Sequence, residues 1–174
     1  FTGTARSDLG AQIDTFSRFY RVIAPDLRGY GRSVPKPRPF GPDFYVQDAL
    51  DTGALLDSLG IDRAHVLGYS DGAESAVLAA IERPDRVRSV VAWGLTGVFG
   101  PEIETVADMF LPAADWPEKR PKWTAEIIAN QGAEWLEPMV EGWSSAIKQI
   151  FAAGGDVSLG LAHEISCPVL LING

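Results

Sequence analysis

The chain has 174 residues, 46% of them hydrophobic, and a formal net charge of −8 from 15 Lys and Arg against 23 Asp and Glu. That length and apolar content suit a single domain with a sizeable core and exclude a disordered tail. The acidic balance, with no basic stripe interleaved with aromatics, argues against nucleic acid and anionic membrane surfaces as partners, and no apolar run approaches transmembrane length.

The single cysteine, Cys167, can form no internal disulfide, which fits a cytoplasmic setting. The sequence opens on "FTGTARSDLG", with neither an initiator Met nor a charged-then-apolar leader, and stops at "CPVLLING", directly after a strand-like run. Both ends read as cut, so a longer intact protein is expected.

Four short apolar runs have strand character: "YRVIA" (20–24), "AHVLGY" (64–69), "VRSVVAW" (87–93) and "PVLLI" (168–172). Their near-continuous hydrophobicity suits parallel strands covered on both faces. After the first comes "DLRGYGRS" (26–33). Its Gly29 and Gly31 do not open a dinucleotide fingerprint, because the third glycine would fall on Val34 and a proline-rich loop follows instead of a helix. A structural turn is expected there, with Asp26 and Arg28 tying it by an ion pair or by backbone hydrogen bonds. "SVPKPRPFGPD" (33–43) then reads as one ordered loop.

The spacing of Val46, Ala49, Leu50, Ala54 and Leu59 predicts a helix over 44–59, opened by Asp43 as N-cap and closed by Gly60. Ala73, Ala76, Val77, Ala80 and Ile81 predict a second over 73–81, stopped by Pro84. Strands alternating with helices indicate an α/β fold with a mainly parallel, doubly wound sheet. Residues 98–164 carry helical stretches broken by Pro and Gly and hold Trp116, Trp123, Trp135 and Trp143. They read as a helical lid inserted between two strands of one domain, with the core at 1–97 and 165–174.

The chemistry centres on Gly68-Tyr69-Ser70-Asp71-Gly72, a G-x-S-x-G sequence with a strand before it and a helix after it. A serine forced into a tight strand-to-helix turn crowds the residues two positions either side, so only small ones let the backbone close. Ser70 would gain from the positive end of the helix dipole, and the Asp71 N–H would face a developing oxyanion.

This elbow, the "DLRGYGRS" loop one strand earlier and the lid before "CPVLLING" together resemble the α/β-hydrolase superfamily. Ser-Asp-Gly at the elbow and Trp93-Gly94 at a strand end resemble, within it, the valacyclovir-hydrolase-like amino-acid-ester hydrolases. The resemblance implies Ser70 as nucleophile, and the backbone N–H groups of Asp71 and Phe1 as oxyanion donors. It further implies Asp71, Tyr69 and Trp93 as substrate-binding residues, and for Asp71 two readings stay open. Its carboxylate holds a substrate ammonium group, or it only complements the helix dipole. In this family the triad runs Ser, acid, His, so the acid and the histidine are expected beyond residue 174.

Neither histidine present suits the role of base. His65 precedes Ser70 by five residues along a strand rising about 3.3 Å per residue, well below its tip. His163 closes the lid and would have to reach back over the sheet. Met109, Phe110, Phe151 and the lid tryptophans could line an apolar pocket, although packing explains most of them, and Asp108, Asp115 and Glu118 read as solvated or capping groups. No His, Cys and carboxylate cluster has metal-ligand spacing, so neither a metal nor another cofactor is expected.

The expectation is therefore a serine hydrolase of small carboxylic esters, amino-acid esters among them, in the intact protein, with these 174 residues alone inactive. Carbon–carbon hydrolases and lactonases share the elbow and remain alternatives, as does a non-catalytic binding protein of the same fold. An unpaired sheet edge, if present, would favour association.

Overall fold

A parallel strand is stable only with a neighbour to complete its backbone hydrogen bonds, and three of the four strand-like runs have one. In the computed structural model, which describes residues 1–173, β1 (Ala64–Tyr69), β2 (Val87–Trp93) and β3 (Val169–Ile172) form one parallel sheet in that order. The register pairs Tyr69 with Trp93 and Trp93 with Ile172, so the three carboxyl ends finish level. The fourth run departs from expectation. Tyr20 completes a turn on the Phe16 carbonyl at 2.9 Å, and residues 21–27 are neither helix nor strand. Among the described residues no strand forms a ladder with this run, and Phe19 and Tyr20 are exposed. A β-prone sequence without a partner cannot satisfy its amides in a ladder.

The contacts group the chain into two compact units, one of Phe1–Pro39 with Ala107–Ser145, the other of Phe40–Val106 with Ala146 onward. The second holds the sheet with α2 (Phe44–Ser58) and α3 (Asp71–Glu82). Helix α3 packs on β1 and β2, and α2 packs on α3. The spacing of apolar residues suggested one buried face for α3. Instead every residue from Ala73 to Ile81 is buried, Glu74 and Ser75 included, because the helix is covered from both sides. Burying an aliphatic side chain such as Leu78, 1% exposed, contributes about 1.5–3 kcal/mol. Asp43 precedes α2 as predicted but makes no side-chain cap, and Gly60, at φ +64°, follows the helix end. The expected two-sided cover fails at β3, whose four residues are all exposed.

The first unit begins with α1 (Ala5–Phe16), which the sequence pattern did not reveal. It buries no residue, has no apolar stripe and contains Gly10. It starts through a reciprocal cap between Thr4 and Ser7. The 26–33 turn is tied largely as expected: Asp26 accepts the Ala5 and Arg32 N–H groups, both at 3.2 Å, and its carbonyl accepts the Ser33 hydroxyl at 2.7 Å. Arg28 contributes its carbonyl oxygen, which accepts from the Arg38 guanidinium at 2.6 Å.

The 98–164 segment is helical as predicted, with α4 (Glu102–Met109), α5 (Trp116–Lys119), α6 (Pro121–Gln131) and α7 (Leu136–Ala152). Trp116, Ile127, Leu136 and Val140 form a buried cluster, against which Phe1, Phe110, Leu111 and Trp123 pack. The tryptophans are therefore largely core.

At the lower end of the sheet unit Asp57 receives hydrogen bonds from Arg83, at 3.2 Å, and from Arg86. The Arg83 hydrogen bonds, helped by the charges of both guanidinium groups against some desolvation, hold the Asp57 carboxyl below its ordinary value. A carboxyl whose value falls on folding stabilises the fold above the unfolded value of about 4, and that contribution disappears as pH falls through the folded value. Asp57→Asn is expected to lower Tm slightly at pH 7, with the gap closing in melts taken progressively below pH 4. A gap of constant size across that range would contradict it.

Candidate active site

Ser70 sits between β1 and α3 with φ +54° and ψ −121°, a region non-glycine residues rarely occupy. Its N–H donates to the Trp93 carbonyl at 2.8 Å, and its own carbonyl accepts the Ala73 N–H at 2.8 Å, starting the helix. The side chain is exposed. Gly68 makes the turn possible, since a Cβ there would land on the Gly72 carbonyl oxygen. Gly94, at φ +74°, comes close from the other side, where a Cβ would lie 3.7 Å from the Ser70 nitrogen. Strand, glycines and helix thus hold one strained, solvent-facing hydroxyl at the carboxyl end of a parallel sheet.

Asp71 opens α3 and is half-buried. One carboxylate oxygen accepts the Tyr45 hydroxyl at 2.7 Å, and its carbonyl accepts the Ser75 hydroxyl at 3.1 Å. Tyr45, 3% exposed on α2, could not be tied to the elbow from sequence, because 26 residues separate it from Asp71 and no spacing rule connects them. Tyr69 and Trp93 end β1 and β2 on either side of the elbow, partly exposed, with ring centroids 5.0 Å apart.

Phe1 belongs to the other unit. Its ring stacks on Trp143 at 4.2 Å and meets Phe110 edge-on at 5.3 Å. The next residue, Thr2, is buried at φ +75°. Two groups of α6 hold it there. The Trp123 indole N–H donates to the Thr2 hydroxyl at 2.9 Å, and the Gln131 amide donates to the Thr2 carbonyl at 2.9 Å while accepting the Gly31 N–H. Sequence reading passed over Gln131, which carried no signal beyond being a polar residue in a helix.

The histidines are engaged elsewhere. His65 Nδ1 lies 2.7 Å from the Ser89 hydroxyl on β2, and His163 Nδ1 lies 3.0 Å from the Gly160 carbonyl. Among the described residues no group of three or more His, Cys, Asp and Glu side chains is gathered as a metal ion would require.

A strained serine on a strand-to-helix turn, flanked by glycines at the carboxyl end of a parallel sheet, is the arrangement of a nucleophile elbow. A family model for the alpha/beta hydrolase fold matches residues 1–141, and the chain belongs to that family. The human protein called Serine hydrolase BPHL is 29% identical over 174 residues, which is 99% of this chain and 59% of that protein. The crystal structure of NosK from Streptomyces actuosus shares the fold, with TM-score 0.81 at 23% identity over 99% of this chain and 72% of that one. An enol-lactonase from Burkholderia xenovorans LB400 superposes with TM-score 0.67 at 28% identity, covering 100% of this chain and 70% of the other. The chain thus spans about three fifths of the human relative's length.

Gly68→Ala tests the geometry directly. A methyl group driven into the Gly72 carbonyl forces the elbow open, and the expected loss is about 3 kcal/mol or more in denaturant unfolding, or failure to accumulate as folded protein. Unfolding at the wild-type midpoint would refute the tight turn.

Proposed function

We propose that the intact protein is a serine hydrolase of small carboxylic esters and that Ser70 carries the acyl group. The observation behind this reading is the strained backbone of Ser70, which projects an exposed hydroxyl from the start of a twelve-residue helix.

In the reaction a base takes the Ser70 proton as Oγ bonds to the ester carbonyl carbon, and the carbonyl electrons move onto its oxygen. The Asp71 N–H at the head of α3, and by the family resemblance the Phe1 N–H, stabilise that oxyanion. As the carbonyl reforms, the carbon–oxygen bond to the leaving group breaks, and the alcohol departs with the proton. Water then attacks the acyl-enzyme in the same way and releases the acid. The resemblance puts the acid and histidine that drive these proton transfers downstream of β3 in the intact protein, in one catalytic domain with 98–164 as its lid. Without a base within hydrogen-bond reach a serine hydroxyl stays protonated, so these residues alone are expected to turn over poorly.

Amino-acid esters are the favoured substrates. Asp71 follows the nucleophile in the chain, and the Tyr45 hydroxyl fixes one of its carboxylate oxygens at 2.7 Å. A carboxylate held in one orientation can meet a substrate ammonium with little reorganisation. Tyr69 and Trp93 offer partly exposed rings next to it for the rest of the substrate. The likeness to an enol-lactonase favours a second reading, the opening of a cyclic ester by the same serine.

In the intact protein Ser70→Ala is expected to lower hydrolysis of small esters by about 10³-fold or more, and an unchanged rate would end the proposal. Asp71→Asn should raise KM about tenfold for esters with a free α-amino group and leave N-acylated esters nearly unaffected, as measured by initial rates on matched pairs. Equal effects on both would remove Asp71 as the ammonium partner while leaving the Ser70 chemistry intact.

A further inference from the structure

Glu74 lies one helical turn beyond Ser70 on α3 and is 3% exposed. A buried carboxylate is costly unless donors replace the water it loses. Here Oε1 accepts the N–H of Thr96 at 3.0 Å and that of Gly97 at 2.7 Å, while Oε2 accepts the Ser158 hydroxyl at 2.9 Å. Ser158 is itself 2% exposed. Thr96 and Gly97 belong to the segment leaving β2, and Ser158 to the segment returning towards β3. Nothing in the elbow chemistry calls for an acid at this position, and an aliphatic residue would fill the helix face as well. What distinguishes the glutamate is the set of groups it ties together.

The segment leaving β2 borders the nucleophile. The Ser70 N–H bonds to the Trp93 carbonyl, and at the next residue, Gly94, a Cβ would lie 3.7 Å from the Ser70 nitrogen. Further bonds hold the segment from the β3 side. The Gly94 N–H donates to the Ile172 carbonyl at 2.8 Å, and the Asn173 side chain donates to the Leu95 carbonyl at 3.2 Å. The Gly97 carbonyl accepts the N–H groups of Val157, Ser158 and Leu159 at 3.1, 3.0 and 3.1 Å. In open α/β sheets ligands bind beyond the carboxyl ends of the strands, and 94–97 is the loop at that end beside Ser70.

We infer that Glu74 is a positioning residue, which fastens the 94–97 loop and the Ser158 segment to the helix that carries Ser70 and so fixes the wall against which a substrate's acyl group is placed. The inference rests on the serine hydrolase reading. It assigns Glu74 no contact with substrate. Because Ser70 and Glu74 share one buried helix, the distance from nucleophile to wall is set by a rigid element instead of by a free loop.

The test uses the intact protein with p-nitrophenyl acetate and p-nitrophenyl hexanoate. Glu74→Ala detaches the loop from α3, and kcat/KM for the hexanoate should fall about tenfold or more, mainly through KM, against less than about threefold for the acetate. Glu74→Gln keeps an oxygen for the two amides and presents its NH2 to a Ser158 hydroxyl able to turn and accept, so both rates should stay within about threefold of wild type. An unchanged hexanoate-to-acetate ratio in Glu74→Ala, or a Gln variant as impaired as the Ala one, overturns the inference. If Glu74→Ala does not fold, Ser158→Ala removes a single donor and should lower the same ratio about threefold, and no change in the ratio overturns it equally. Ser70→Ala is assayed alongside. Activity surviving there fells the underlying hydrolase reading, whereas an inactive Ser70→Ala with an unchanged ratio in the Glu74 variants fells only the role of Glu74.

Discussion

The constraint on which the sheet unit depends is the left-handed backbone of Ser70. A non-glycine residue in such a region costs about 1–3 kcal/mol and persists only where its surroundings over-determine it. The surroundings here are the Trp93 carbonyl on one side, the first turn of α3 on the other, and Gly68, whose missing side chain leaves room for the Gly72 carbonyl. Helix α3 supplies the offset. Its buried run from Ala73 to Ile81 lies between the sheet and α2, and the small alanines let both come close. Burial of Val77, Leu78 and Ile81 alone is of a size to outweigh the strain.

The other unit repeats this logic. Thr2 adopts a positive φ against α6, held by an indole N–H and a buried amide, while Phe1 is stacked into the aromatic cluster around Trp116 and Trp143. Both strained residues adjoin a group that the family resemblance assigns to the reaction, Ser70 as nucleophile and Phe1 as oxyanion donor. In both the strain is balanced by helix packing, the buried run Ala73–Ile81 of α3 in one case and Trp123 and Gln131 of α6 in the other.

What could be read beforehand followed from local periodicity. The strands at 64–69 and 87–93 and the helices at 44 and 73 were legible because apolar spacing and punctuation by Gly60 and Pro84 agree with the final structure. The elbow was legible because its five-residue pattern lies between a strand and a helix, although the steric requirement expected on both sides of Ser70 holds at Gly68 alone, a Cβ at Gly72 meeting open space. "YRVIA" was misread for the converse reason, since strand propensity expresses itself only where another strand accepts the ladder. Helix α1 was invisible because a helix that buries nothing leaves no apolar stripe. Glu74, Tyr45 and Gln131 lay beyond reach because each acts through residues 22 to 129 positions away, and nothing in a linear pattern marks a glutamate as buried. The tryptophans of 98–164 were legible as packing, although not as the seat of Phe1.

The burial of α3 on all sides also constrains how the gene can change in length. A helix turns about 100° per residue, so inserting or deleting one codon between Ser70 and Glu74 would swing the carboxylate away from the Thr96 and Gly97 amides into an apolar wall. Length variation among descendants of this gene is therefore expected to be absent from the stretch between the elbow and the end of α3, which diverges by substitution alone.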